Sequence, residues 1–377
     1  MAGRPTAATE QRKPHTAVVI DEVHRRPVHL TSAPDGDWGW LPLLAEVAGA
    51  VGDVPRLLAL AEEAGRSWPL PGEGRTAELW ELLASVAAVD VAAGRVFEPH
   101  LDAQAILAQA KQQAGQRHRP AAGTWGVFAA EGPDMRLAAT AAGSTVLLHG
   151  SKPWCSLAPL LQHAVITAHS DDGGRAAYAV DLRHEGVRCE EPAWIARGLQ
   201  EIPSGTVHFD EVPATPVGGP GWYHSRPGFA WGGMGVAACW LGGAVGLARD
   251  YRAGLLAAAE AGRQPDQLAL AALGETDRIL ASALQYLAGT AARIDDGSLG
   301  RAGQGTWSEA QRVRGTVAAA VERILHLVGT NRGPAPLAFD ETYAKRMADL
   351  GLYVRQHHGR RDDAQLGSLT LSGDCPW

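Results

Sequence analysis

An α+β fold is predicted by two changes of period along the chain. Apolar residues recur at helical spacing up to about residue 116. Between about 121 and 223 they alternate with polar ones in short runs bounded by Gly and Pro, and after 226 helical spacing returns. The expected order is an N-terminal helical domain (37–120), a middle antiparallel β domain (121–225) and a C-terminal four-helix bundle (226–377). A chain of 377 residues with 46% hydrophobic content can bury a large core and exceeds the usual size of one domain, which agrees with this division.

Residues 1–36 are rich in Pro, Thr, Arg and His and read as a flexible arm, with VVIDEV (18–23) as a short strand or turn within it. From Trp38 the segments LLAEVAGAV, RLLALAEEAG, ELWELLASVAAVDVAAG and LDAQAILAQAKQQAG each carry an apolar stripe closed by Gly or a Gly/Pro break. Five strand-length runs follow: TWGVFAA, STVLLHG, HAVITAH, AAYAVDL and GTVHFDEV. Leu147 to Ala168 breaks at Gly150, restarts, and reads as a hairpin-like pair. Beyond Arg226, four long amphipathic segments, the last DETYAKRMADLGLYVRQHHGRRD, form the bundle.

A net charge of −7 and a pI near 6.1 leave no broad basic field, so no nucleic-acid partner is expected. The opening MAGRPTAATEQRKPH lacks a signal-type apolar core, and no stretch holds 18 uninterrupted apolar residues, which predicts a cytoplasmic protein without a membrane partner. Cys155, Cys189, Cys239 and Cys375 have no zinc-type spacing, so no metal site is expected and the thiols are read as reduced and structural.

The run Leu147, Leu148, Gly150, Lys152, Trp154, Ser156, followed by the strand Ala164–Ala168, resembles the flavin-facing strands of the acyl-CoA dehydrogenase family. FDEVPATPVGGPGWYHSRPGFAW (209–231) and GGAVGLARDY (242–251) resemble that family's passage into its bundle and its small-residue first bundle helix; close helix packing explains those glycines equally. The resemblance covers most of residues 38–367. It implies a cytoplasmic flavoenzyme binding FAD, or FMN in the family's monooxygenase branch, working as a homodimer or homotetramer.

It also implies site residues. Trp125, Glu131 and Gly132 fall on the family's flavin-bonding turn, without its hydroxyl-rich pattern, and core packing explains Trp125 equally. Trp154 and Ser156, two apart on a strand, face one side and can address a planar ligand together. Arg263 resembles the Arg that meets the FAD pyrophosphate across a dimer interface, although the family's following Phe-Gly is replaced by GRQPDQ. Gly329, Thr330 and Asn331, in HLVGTNRG, resemble the Gly-rich turn beneath a partner's FAD; a helix C-cap accounts for them otherwise.

The family's catalytic Glu is missing. Its position falls near Arg355 or Gln356, with His357 and His358 next in line, and histidine suits acid–base work near neutrality. This segment is similar to the monooxygenase branch, which keeps a His there. His100, beside Asp102 in RVFEPHLDA, and Tyr223, Arg226 and Trp231 at the bundle entrance are the candidate substrate contacts, and Trp231 with Trp240 narrows any long acyl channel.

The resemblance therefore implies a flavin-dependent oxidoreductase acting on a compact small molecule, carrier-linked or free, that is not a simple fatty acyl-CoA. Dehydrogenation is slightly favoured, with an electron-transfer partner. The alternatives are monooxygenation or N-hydroxylation, with reduced flavin from a reductase, and a catalytically silent scaffold subunit.

Overall fold

A computed structural model describes residues 22–30, 40–116, 121–143, 145–171, 173–299, 305–373, 375 and 377. Most of the expected arm, residues 1–21 and 31–36, lies outside the described residues. Its stretch 22–30 is not free: a 3-10 turn, Glu22–Arg25, leads into a strap in which His24, Val28 and Leu30 are buried. His24 Nε2 lies 2.8 Å from Asp250 Oδ1, and the backbone N–H groups of Val28 and Leu30 donate to Ser85 Oγ (2.8 Å) and Glu81 Oε1 (2.7 Å).

Four helices precede the sheet: α1 (Leu41–Gly49), α2 (Val54–Gly65), α3 (Thr76–Val89) and α4 (Val91–Gln113). Asp53 and Asp90 cap α2 and α4 by accepting from Arg56 N and Ala93 N, the arrangement that satisfies orphan N–H groups at a helix start. Helix α3 is buried along nearly its whole length, including Glu81 and Ser85, which bond the strap.

The seven strands are β1 (Trp125–Phe128), β2 (Leu137–Ala142), β3 (Thr145–Ser156), β4 (His163–Ser170), β5 (Arg175–Asp181), β6 (Val187–Cys189) and β7 (Ser204–Val217). All five expected strands are present; β2 and β6 are additional. The sheet is mixed rather than antiparallel, because β4 runs parallel to β1 and β2 and antiparallel to β5. Pairing through β2, β3, β7, β5 and back to β4 closes the sheet on itself. The expected hairpin within Leu147–Ala168 does not form: β3 pairs with β2 and β7, not with β4. Gly150 does not end the strand either. At φ +110° it sits in a register shift of β3, where a Cβ would collide with the Arg136 carbonyl.

After the short helix α5 (Trp222–Ser225) come α6 (Pro227–Glu260), α7 (Gln267–Asp295), α8 (Thr306–Arg332), α9 (Pro334–Phe339), α10 (Glu341–Tyr353) and α11 (Arg360–Leu371). The fourth expected bundle helix is thus broken: a 3-10 turn, Val354–Gln356, and Gly359 at φ +58° separate α10 from α11. Helix α6 is long and apolar enough to cross a membrane, but 72% of its most apolar window is buried inside the protein. Its apolar character is spent on the core. Gly242 lets it close on α3, since a Cβ there would lie 2.7 Å from the carbonyl carbon of Ala84.

Candidate functional site

Helix α4 places Arg95, Glu98 and Asp102 at i, i+3 and i+7, on one face, which looks toward the sheet edge and the bundle. The Arg95 guanidinium donates to Ser156 Oγ at 3.1 Å, lies 3.6 Å from the Glu98 carboxylate and sits 5.8 Å from the Tyr353 ring centroid. Ser156 Oγ also shares a 2.6 Å hydrogen bond with Ser204 Oγ. Arg314 of α8 lies over Trp240 at 4.8 Å and donates to the carbonyls of Gly233 (3.0 Å) and Gln356 (2.9 Å). Trp240 meets Tyr353 edge to face, with ring centroids 6.3 Å apart. A continuous chain of contacts thus runs from strand β3 to the α10–α11 junction.

Burial dominates the electrostatics. It pushes the Glu98 carboxyl up to about 7; Arg95 opposes that rise and Asp102 adds to it. Asp102 is also raised by burial, with Arg226 opposing. The Tyr353 hydroxyl, buried without a hydrogen-bond partner among the described residues, is pushed well up by burial and by its neighbours Cys239 and Glu98.

Trp154 and Ser156, the expected ring-binding pair, have a geometry that the strand pattern does not give. Trp154 lies in a second register shift of β3 at φ +60° and is 62% exposed, while Cys155 beside it is fully buried. A large aromatic held outward in a strained backbone conformation, two residues before the half-buried Ser156, forms an exposed shelf at this end of β3. Trp125 does not join it. Its indole is buried, lies against His163 with ring centroids 4.7 Å apart and planes tilted by 33°, and donates to the Ala122 carbonyl.

Glu131 is engaged elsewhere, accepting from Lys152 Nζ (2.7 Å) and Arg175 (2.9 Å) with His169 at 3.5 Å, so it neutralises a buried lysine. Gly132 bridges to Met135 in the adjoining turn and packs on Pro153.

Of the substrate candidates, Tyr223, Arg226 and Trp231 gather near Asp102. Arg226 stands over the Tyr223 ring at 5.2 Å and donates to Gln109 at 2.7 Å. A Cβ on Gly232, next to Trp231, would lie 2.7 Å from Asp102 Oδ1. His100 is on the other side of α4: its Nδ1 accepts from Trp125 N at 3.2 Å, and burial lowers its pKa to about 4. It is a neutral structural histidine.

His357 and His358 are not on one helix, as expected, but in the loop before α11. His357, with its side chain 11% exposed, lies 3.6 Å from Asp362 and is lowered by burial; it borders the site through Arg314. His358 points outward, 67% exposed, and pairs with the same Asp362. Arg355 forms an exposed ion pair with Glu322 and is not part of the cluster.

Arg263 and Gly329–Asn331 are not brought to this site within one chain. Arg263 follows α6 some 23 residues beyond Trp240, roughly 35 Å along a helix axis. Gly329, Thr330 and Asn331 lie inside the last turns of α8, not in a turn after it, and Asn331 Nδ2 donates to the Leu327 carbonyl; the C-cap is Gly333 at φ +68°. Sequence reasoning missed Arg95, Glu98, Arg314 and Tyr353. The spacing within RVFEPHLDA, which separates Arg95, Glu98 and Asp102 from His100, was the available signal for the first two.

No protein-family model and no curated protein matches this sequence. Solved structures do. A nitrososynthase from Micromonospora carbonacea var. africana superposes with a TM-score of 0.73 at 17% identity, over 87% of this chain and 93% of its own. TdsC of Paenibacillus sp. A11-2, a dibenzothiophene monooxygenase, solved with FMN and indole, gives 0.71 at 16% identity over 88% and 97%. Butyryl-CoA dehydrogenase of Megasphaera elsdenii gives 0.68 at 15% identity over 84% and 89%. The agreement in element order over most of each chain establishes that this protein has the acyl-CoA dehydrogenase fold.

Proposed function

We propose that this protein is a flavin-dependent oxidoreductase that oxygenates a compact small molecule, with reduced flavin delivered by a partner reductase. The observation that carries this reading is the outward-held Trp154 and its neighbour Ser156, tied through Arg95 to the buried cluster of Glu98, Tyr353 and Arg314. The Trp154 face and the Ser156 and Ser204 hydroxyls would hold the flavin ring. When bound and reduced, the flavin supplies the electrons and activates dioxygen. The chain's own residues would enclose the substrate and keep water away from it: Trp231 lines the cavity beside α4 as an apolar wall, and Arg95 fixes the Ser156 hydroxyl.

Two points support oxygenation over dehydrogenation. The segment 354–359, VRQHHG, offers no carboxylate to take a proton from an activated C–H bond, and Arg355 within it is committed to Glu322 at the surface. Two of the structures described above are a nitrososynthase and a monooxygenase, the latter solved with FMN. A second reading, dehydrogenation, is favoured by Glu98, whose carboxyl, raised to about 7, suits general-base work near neutrality. The distance of Arg263 and Gly329–Asn331 from the shelf supports a homodimer or homotetramer in which these residues serve a partner's flavin.

Absorbance after incubation with FAD or FMN and desalting tests the flavin reading. Oxygen uptake with a flavin reductase and NADH, compared with anaerobic bleaching of bound flavin by the same substrate, separates the two chemistries. Anaerobic bleaching would overturn oxygenation in favour of dehydrogenation, and a protein retaining neither oxidised nor reduced flavin would overturn both.

A further inference from the structure

Between α3, α4 and α6 lies a cavity whose lining includes Pro71, Trp80, Leu83, Leu101, Ala105 and Trp231. Its enclosed volume is about 20 Å³, the room of one water, so no organic ligand enters unless a wall moves. The helices are poor candidates for that movement. A Cβ on Gly242 of α6 would collide with the Ala84 carbonyl of α3, and one on Gly94 of α4 would lie 2.7 Å from Ala87 Cβ. Helices this close do not part without unpacking the core. The other wall is the loop between α2 and α3, residues 66–75, RSWPLPGEGR, which contributes Pro71.

This loop carries its own points of rotation. Gly72 and Gly74 have left-handed backbones, at φ +84° and +88°. Gly72 rests on the Trp231 ring, since a Cβ there would lie 2.7 Å from Cζ3. An acid on another element fastens the outer end of the loop. Asp295, the last residue of α7, accepts from Gly74 N at 3.0 Å, Thr76 N at 2.8 Å and Thr76 Oγ1 at 2.6 Å. Thr76 Oγ1 in turn accepts from Gly72 N at 2.8 Å. Helix α3 has no side-chain cap from its own N-cap residue, Arg75, so Asp295 both caps that helix and latches the loop before it. The closed position also leaves a donor unsatisfied: Trp231 Nε1 is buried with no partner among the described residues, a cost that water or a ligand oxygen would remove.

We propose that the α2–α3 loop is a gate to this cavity, latched by Asp295. Residues 70–74 swing away from Trp231, and Gly72 and Gly74 absorb the change in backbone angles. What the gate admits, a compact small-molecule substrate, rests on the function proposed above; the motion and its latch stand on the loop alone. No bond is made or broken in it.

Thiol reactivity within the cavity tests the gate on the full-length protein. Ala105→Cys puts a thiol on the lining, and methyl methanethiosulfonate, a compact reagent, labels it at a rate read by peptide mass spectrometry. Cys239, fully buried in α6, reports general loosening in the same sample. Asp295→Asn keeps the side chain's shape and removes its charge. Adding it is expected to speed labelling at position 105 by at least about tenfold, the factor that about 1.4 kcal/mol of lost charge-assisted bonding gives, while Cys239 stays unlabelled. Equal rates with and without Asp295→Asn, or Cys239 labelled in step with position 105, overturn the proposal. Ala105→Cys with the latch intact gives a second measurement. Its labelling rate should be nearly constant in urea well below the unfolding midpoint, as local opening requires, and a rate that climbs as steeply as global unfolding overturns the gate. Flavin retention after desalting is read separately, so a protein that keeps no flavin but opens its loop ends the flavoenzyme reading and leaves the gate standing.

Discussion

Ser156 accepts a hydrogen bond at 3.1 Å from the guanidinium of Arg95, which ties the exposed end of strand β3 to the buried face of helix α4. The bond spans 61 residues of sequence, so the shelf beside Trp154 and the carboxylate cluster are held in one register by a single side chain. Arg95→Ala breaks that tie and leaves Glu98 with its nearest cation gone. Substrate turnover is expected to fall by at least tenfold in Arg95→Ala, and Arg95→Lys is expected to restore little of it, because an ammonium cannot reach two partners with a fixed fork. Recovery of full turnover in the lysine variant would show that only charge matters there.

Trp154 separates ligand binding from folding. The residue is 62% exposed at φ +60°, a conformation that costs a non-glycine residue on the order of 1 kcal/mol or more and that glycine adopts freely. Trp154→Gly is therefore expected to leave the urea midpoint unchanged or raise it, while retention of flavin after desalting drops severalfold. A variant that loses stability and keeps its flavin would contradict both halves.

Glu98 gives a pH dependence whose sign is fixed by burial. Its carboxyl is raised from 4.5 to about 7, so the folded protein holds a proton that the unfolded chain releases. The wild type then loses stability as pH rises from about 4.5 to 7 and changes no further from this group above that window. Glu98→Gln removes the dependence. The variant should gain on the wild type between pH 5 and pH 8, by at most on the order of 3 kcal/mol. Urea denaturation at the two pH values measures the difference; a variant that loses ground at pH 8 would mean the ionised carboxylate is stabilised in the folded protein.

The elements with strong periodicity were legible in the sequence, and those built by pairing were not. Helices α1 to α4 and α6 to α8 carry apolar stripes over several turns. Strand β2, LAATAA, has no alternation strong enough to declare itself and exists because β3 pairs along it. The mixed sheet has the same origin, since no local pattern tells β4 which direction its neighbours run. The site is half legible: WCS marks the exposed end of β3, but in RVFEPHLDA the histidine that suggests acid–base chemistry, His100, lies on the other face of α4 from Arg95, Glu98 and Asp102. The break before α11 was hidden in a run whose pattern continues through Gly359, and it changes which of His357 and His358 faces inward.

Close packing of α3 on α6 makes Gly242 a sensitive position. A Cβ would lie 2.7 Å from both the carbonyl carbon and the Cα of Ala84, which are backbone atoms that cannot turn aside. Gly242→Ala is expected to cost about 1–3 kcal/mol through forced separation of the two helices, despite alanine's better helix propensity. Gly274→Ala on α7, where nothing lies within 4 Å of the added carbon, is the control, and it should be neutral or slightly stabilising. Equal melting temperatures for the two variants would show that the helices do not pack at this distance.

The ammonium of Lys345 joins three carboxylates: Asp90 at 2.7 Å, Glu201 at 2.8 Å and Asp349 at 2.6 Å. Burial disfavours its charge, but the three acids outweigh that and raise its pKa, while Asp349 itself is pushed up to about 6 by burial. Asp349 also accepts from Leu199 N, so the cluster fastens the loop before β7 to α10, and the Asp90 end fastens α10 to the start of α4. Lys345→Met keeps the volume and removes what is, among the described residues, the only cation in contact with all three. The carboxylates then repel one another in a largely buried site, and the loss is expected to be about 3–5 kcal/mol at pH 8. It should shrink as the pH is lowered toward 5, because protonation relieves the repulsion in the folded variant before the unfolded chain takes up protons. Denaturant midpoints of the variant and wild type between pH 5 and pH 8 check the sign, and a deficit that grows on acidification would mean that Lys345 is not the counter-ion of this cluster.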